Sequence, residues 1–202
     1  MSSSLLEQAA QSITTNSTSV PSPDSLVEAL LEAEKTAKKS RVHYSFEQLI
    51  GTWRLCFACG TKKTRQRAGI ILGAGRYIPR WVKIQLSYSA THITQQHNSN
   101  TGVVENSVEL GGLKLSLTGP TKFLTKKNIL AFDFTRMTVQ LFGAKLYQGY
   151  IRGGESKEQQ FERESVGKQA FFAYFLVNDK VIAARGRGGG LALWVRQQPS
   201  TE

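Results

Sequence analysis

The sequence predicts a mainly β chain that closes into an antiparallel barrel behind an N-terminal helix. Three observations lead there. After residue 50 the apolar residues alternate: Trp53, Leu55 and Phe57 against Arg54 and Cys56, then Val82, Ile84, Leu86 and Tyr88 against Lys83, Gln85 and Ser87, then Leu113, Leu115 and Leu117 against Lys114 and Ser116. That period of two belongs to antiparallel strands with one wet face. Strand-like runs follow one another at short spacing between Gly, Asn and charged turns, as barrels and sandwiches require. The first run opens on Gly51-Thr52-Trp53, directly after a helical turn.

Residues 1–20 are rich in Ser, Thr, Asn and Gln, and their composition predicts a disordered tail. Residues 21–42 predict a helix. Ser22 can cap it, Pro23 suits its first turn, and Asp24 meets the positive end of its dipole. Leu26, Leu30, Ala33 and Ala37 draw one apolar stripe, and Lys35, Lys38 and Lys39 suit its C-terminal end. Such a helix is a docking or lid element. Residues 43–198 form the barrel domain. Ser45 and Gln48 can make a capping box around a single helical turn.

The strand runs are 51–60, 77–90, 101–110, 112–119, 128–143, 145–151, 169–177, 180–186 and 190–198. Asn178-Asp179 sits at the tip of a tight hairpin. Residues 153–168 read as a polar loop or a short helix with loops. The run with Phe171, Phe172, Tyr174 and Phe175 carries rings on both faces, so it needs cover outside the barrel as well as inside.

The Gly51-x-Trp53 opening has a physical purpose. Gly lets the chain turn sharply into the strand, and Trp plugs the closed end, as a lipocalin-type barrel begins. In an up-and-down barrel the last strand pairs antiparallel with the first. That places Arg196, at the end of Leu191–Arg196, over Trp53, a cation–π contact of about 0.5–2 kcal/mol. Gly51, Trp53 and Arg196 are therefore the expected closure residues. Cys56 and Cys59 lie three apart on a strand, and alternation sends them to opposite faces. They are expected to be structural and unbonded. His43, His92 and His97 show no ligand spacing, and no metal or other cofactor is expected.

On the stretches LIGTWRLCF, RYIPRWVKIQLSYS and YFLVNDKVIAARGRGGGLALWVR the chain resembles the plastid lipid-associated proteins, or fibrillins, of plastids and cyanobacteria. Asp179, Arg185, Gly186, Gly190 and Arg196 stand at that family's C-terminal motif positions, and the resemblance spans about residues 45–197. It implies a lipocalin-like barrel that binds small hydrophobic molecules and associates peripherally with thylakoids or with plastid or cyanobacterial lipid bodies. The N-terminus has no transit-peptide pattern, which fits a cyanobacterial or processed member. Without the membrane the expected location is cytoplasmic.

Charge narrows the partners. Residues 1–42 hold four Lys/Arg and five Asp/Glu, leaving 22 basic and 10 acidic residues, of the chain's 26 and 15, in 43–202. No acid occurs from Gln48 to Val104, yet Lys62, Lys63, Arg65, Arg67, Arg76 and Arg80 do. This field attracts an anionic membrane surface; Trp81 and Tyr77 beside it resemble interfacial anchors. Nucleic acid is disfavoured, because no aromatic ladder interleaves with the basic residues on one strand face. Gly73–Gly75 is followed by Pro79, and Gly186–Gly190 by a strand, so neither opens the helix that a phosphate loop needs.

No nucleophile elbow and no spaced carboxylate pair appears, so the expectation is a binding protein and not an enzyme. The expected inward wall for a quinone, carotenoid, pigment or lipid is Leu55, Phe57, Ile84, Leu86, Leu115, Phe132, Phe134 and Tyr174. The alternatives are a bilin-lyase-like pigment-attachment enzyme, a ligand-free scaffold for protein partners, and a nucleic-acid-binding barrel.

Overall fold

The computed structural model describes residues 2–14, 20–60, 75–90 and 100–198. Among these residues, three helices and eleven strands run in the order α1 (Ser2–Thr14), α2 (Pro23–Ser40), β1 (Gly51–Cys59), β2 (Arg76–Tyr77), β3 (Lys83–Ala90), β4 (Thr101–Leu110), β5 (Leu113–Leu124), β6 (Ile129–Phe132), β7 (Arg136–Leu141), β8 (Ala144–Tyr150), α3 (Gly154–Phe161), β9 (Ala170–Val177), β10 (Val181–Gly186) and β11 (Leu191–Arg196). Strands β1, β3, β4, β5, β6, β9, β10 and β11 pair antiparallel, each with its neighbour, and the β1–β11 ladder closes them into an eight-stranded lipocalin-like barrel.

β5 decides the barrel's shape. One edge pairs with β4 over Leu113–Lys122, while the other is divided: Thr121–Leu124 pairs with β6, and Leu113–Thr118 pairs with β7. Gly119 and Pro120 sit at the division. Pro120 has no N–H for a ladder, and a Cβ on Gly119 would lie 2.1 Å from the Asp133 carbonyl oxygen. The chain must be bare there for the corner to come so close. The run expected as one strand over 128–143 is accordingly broken at 133–135 into β6 and β7. At the end where β1 begins, β5 pairs with β6 and the ladder closes; at the other end β5 leaves β6 for β7, so that β7 and β8 extend the β3–β4–β5 wall and the barrel flares.

The expected disorder of residues 1–20 is corrected: Ser2–Thr14 is helix α1. Its polar composition hides Leu6, Ala9 and Ala10, which are three to four apart and fully buried. α2 has the predicted cap, with Ser25 N–H donating to Ser22 Oγ at 3.2 Å. Together the two helices bury a second apolar layer outside β1, β9, β10 and β11, made with Phe57, Phe175, Val181, Ala183, Leu191 and Leu193. This is the outer cover that the double-faced β9 requires. Glu34 locks the layer: Arg185 Nε donates to its Oε1 at 2.9 Å and Nη2 to its Oε2, while Lys38 approaches at 3.1 Å. At α1, Arg80 Nη2 donates to the Ser12 carbonyl at 2.6 Å.

A β-bulge between Leu55 and Phe57 corrects two further expectations. The extra residue reverses the alternation of β1. Phe57 thus leaves the inward wall and packs beneath the helices, opposite Leu193. Cys56 and Cys59 then share that outer layer instead of opposing faces, and both are free thiols. Their expected lack of a bond stands; the expected geometry does not.

Candidate functional site

The narrow end of the barrel is plugged. Trp53 is fully buried, and its Nε1–H donates to the Leu49 carbonyl at 2.7 Å. The Arg196 guanidinium lies 4.0 Å from the centre of the indole, and the two residues pair directly in the β1–β11 register. It donates to the carbonyls of Asp179 at 2.9 Å, Ile50 at 3.0 Å and Gln48 at 3.1 Å. Gly51 completes the arrangement. Its φ is +123°, and a Cβ there would come within 2.8 Å of Arg196 Nη1. The three expected closure residues therefore meet as one unit. Half of the expected capping box also forms, since Ser45 N–H donates to Gln48 Oε1 at 2.9 Å.

Around Trp53 the barrel is filled by Phe46, Leu86, Tyr88, Val104, Phe123, Leu130, Tyr174 and Ile182. Tyr88 and Tyr174 join hydroxyl to hydroxyl at 2.7 Å in this dry interior. Burial raises both phenols well above their ordinary titration range, so they stay neutral. The next layer is aromatic. Phe132 stacks on Phe172 at 5.0 Å, touches Phe134 at 5.2 Å, and Phe172 meets Trp194 edge-on at 5.4 Å.

Beyond that floor the wall changes character. Leu55, Phe134, Phe172 and Ala192 pack on the core yet are only partly buried. Ile84 shares the face of Leu86 and Tyr88, and Leu115 and Leu117 share that of Phe123; these too are only partly buried. Partial burial of inward side chains means that they face solvent at this end of the barrel. Asn106 lies on the same face as Val104 and Val108, opposite Leu86 and Leu117 in register, and supplies an amide among apolar neighbours. The flared half is thus an apolar mouth with an aromatic floor and one amide, a composition suited to an apolar ligand with a polar end.

The expected wall divides between the two halves. Leu55, Ile84, Leu115 and Phe134 border the mouth; Phe132 belongs to its floor; Leu86 and Tyr174 are packed in the plug; Phe57 is outside the barrel. Sequence reading missed Phe172, Trp194, Asn106 and Leu117. Phe172 could have been found from its alternation with Tyr174, and Trp194 from its place opposite Leu55. Of the expected basic surface, Arg76 and Arg80 are exposed, whereas Lys62, Lys63, Arg65 and Arg67 lie outside the described residues.

Among the described residues no group of three or more His, Cys, Asp or Glu could hold a metal ion, and no helix is long and apolar enough to cross a membrane. A separate cleft of about 220 Å³ lies between α1 and the β10–β11 edge, with Glu7, Gln11 and Lys180 in its wall. No protein-family model and no curated protein matches the chain.

Proposed function

We propose that the chain binds and carries a hydrophobic small molecule in the flared half of its barrel, as its likeness to the fibrillins implies. The observation that carries this reading is the partial burial of inward-facing Leu55, Ile84, Leu115, Leu117, Phe134 and Phe172 above a packed aromatic floor. Apolar surface removed from water there contributes roughly 25 cal/mol per Å². The floor of Phe132, Phe172 and Trp194 favours a flat, conjugated molecule such as a quinone, carotenoid or other pigment over a saturated chain. Asn106 can donate to a carbonyl or accept from a hydroxyl, and so would orient the ligand's polar end.

The proposed activity is burial and transfer, not catalysis. Pigment attachment of the lyase kind would need an acid and an arginine at the mouth, and the inward-facing residues named above are uncharged. The basic surface, with the cationic segment at Lys62, Lys63, Arg65 and Arg67, supports a peripheral place on an anionic membrane, thylakoid or lipid body by the same resemblance.

The test is purification from a photosynthetic host, organic extraction and mass spectrometry. A reproducible apolar species near one per chain is expected, and Phe134→Arg should lose it while remaining folded. Asn106→Leu should weaken retention of carbonyl-bearing species and spare plain hydrocarbons. An extract without any stoichiometric hydrophobe would remove the carrier reading.

A further inference from the structure

We infer that the paired tips of the β4–β5 and β7–β8 hairpins form a lipid-docking element, with Phe142 as the side chain that enters the bilayer. Both tips are two-residue turns, Gly111-Gly112 between Leu110 and Leu113, and Phe142-Gly143 between Leu141 and Ala144. All four central residues have positive φ: +55° and +86° in the first turn, +48° and +82° in the second. This is the type I′ backbone, whose first position favours Asn, Asp or Gly. A bulky ring in the left-handed region is a local misfit. Phe142 is also 82% exposed, so core packing does not account for it either. A residue that suits neither its backbone nor its solvent is best explained by a partner.

The tip is built, not loose. Phe142 N–H donates to the Gly112 carbonyl at 2.8 Å, which ties the two hairpins together. The ring lies over Gly112 so closely that a Cβ there would be 2.5 Å from it. Leu110 and Leu113 flank the first turn, Leu146 and Tyr147 follow the second on β8, all four are exposed, and Trp81, 69% exposed, precedes β3 at the same flared end. Six large exposed apolar side chains on two adjacent hairpins and the segment before β3 are denser than the scattered residues of an ordinary exterior.

Charge selects lipid as the occupant. β5, β7 and β8 contain no Asp or Glu, and beside the tips they carry Lys114, which Glu105 of β4 approaches at 3.8 Å, and Lys145, which bonds only to Gln148 among the described residues. Glu109, beside the first tip, is answered by Lys83 at 3.2 Å. An exposed aromatic tip with leucine, tyrosine and lysine on the same two hairpins matches a bilayer interface, where rings sit at headgroup depth and lysines meet anionic headgroups. The docking rests on the hairpins' own geometry; it relies on the carrier reading only for its purpose, which is to set the mouth against the lipid that supplies or receives the cargo.

The test uses the full chain with vesicles of phosphatidylcholine alone and of phosphatidylcholine with phosphatidylglycerol. Wild type should co-float with the mixed vesicles. Its tryptophan emission should shift to the blue through Trp81, because Trp53 and Trp194 are buried. Phe142→Asn installs the residue that the turn prefers, so its thermal unfolding should be unchanged or higher. Its vesicle partition should fall by on the order of tenfold or more, the loss of one buried aromatic ring. Hydrophobe retention should be the same in the two proteins. A chain that carried no hydrophobe but still needed Phe142 for vesicles would uphold the tip while removing the carrier reading. Equal vesicle binding by wild type and Phe142→Asn overturns the inference. So does a wild type that ignores vesicles and instead self-associates through Phe142, which would make the tip a contact between copies of this chain.

Discussion

Replacing Arg196 by Met tests the barrel closure most sharply. The side chain keeps its apolar stem but loses the guanidinium that lies 4.0 Å over Trp53 and caps three carbonyls. The cation–π contact at this half-buried site contributes about 1 kcal/mol. The bond to the Ile50 carbonyl is part-buried and the bonds to Asp179 and Gln48 are exposed, so only the first is counted near its full value of roughly 1.5 kcal/mol. The expected loss is about 2–3 kcal/mol, or roughly 5–10 °C in Tm for a chain of this size. Urea titration followed by the buried tryptophans measures it. Gly51→Ala supplies the cross-check, since its Cβ would meet Arg196 Nη1 at 2.8 Å. In the Arg196→Met background that clash is gone and only the cost of φ +123° remains, so the two changes should be less than additive. A loss below about 0.5 kcal/mol for Arg196→Met, the size of an ordinary surface substitution, or strict additivity with Gly51→Ala, would refute the idea that these residues act as one closure.

Other consequences can be measured with purified protein. Tyr88→Phe or Tyr174→Phe alone strands the partner hydroxyl in a dry interior and should cost about 1–3 kcal/mol, whereas the double change should cost less than the two singles together; chemical denaturation of the three variants decides it. Glu34 is held below its usual carboxyl range, first by its hydrogen bonds to Arg185. A depressed folded pKa gives stability that is present above the unfolded value, near 4.5, and lost as pH falls through the folded one. Glu34→Gln should therefore be less stable at neutral pH and lose less stability than wild type between about pH 5 and 3, the window around the reference carboxyl pKa. Burial pushes the Cys56 thiol up to about 12, so iodoacetamide at about pH 8, near the free-thiol pKa, should label half-buried Cys59 and reach Cys56 only on unfolding. Peptide mapping that found Cys56 labelled in the native chain would count against the helix cover.

Much of this fold is legible locally. α2 announces itself through Ser22, Pro23 and Asp24, because caps and dipole charges act within one turn. The meeting of Trp53 with Arg196 follows from topology alone, since a barrel must pair its last strand with its first. The apolar outer face of β9 likewise requires a cover. What escaped has physical reasons. A single inserted residue at the Leu55/Phe57 bulge turns Phe57 from lumen to helix layer and sets Cys59 beside Cys56 on one side; periodicity assumes an unbroken register. α1 was hidden because its Gln8 and Gln11 are exposed and its buried contact is made by small or short-spaced residues, Leu6, Ala9 and Ala10, with Ser12 satisfied inside the helix by the Ala9 carbonyl. The mouth was only half legible. Alternation assigns Ile84 and Tyr174 the same direction, and only the depth of each along the barrel distinguishes open space from plug. Phe142 was not found because in sequence it ends a strand-like run like any other aromatic; its misfit exists only once the turn gives it a positive φ.

The central claim is that a hydrophobe enters the flared half of the barrel and nowhere else. Methyl NMR of the chain titrated with a decyl-substituted benzoquinone measures this directly. Shifts should concentrate in Leu55, Ile84, Leu115 and Leu117, with the aromatic floor broadening their neighbours, while Leu26, Leu30 and Leu193 under the helices stay still. Shifts centred on the helix layer, or an unperturbed mouth at saturating quinone, would contradict the account.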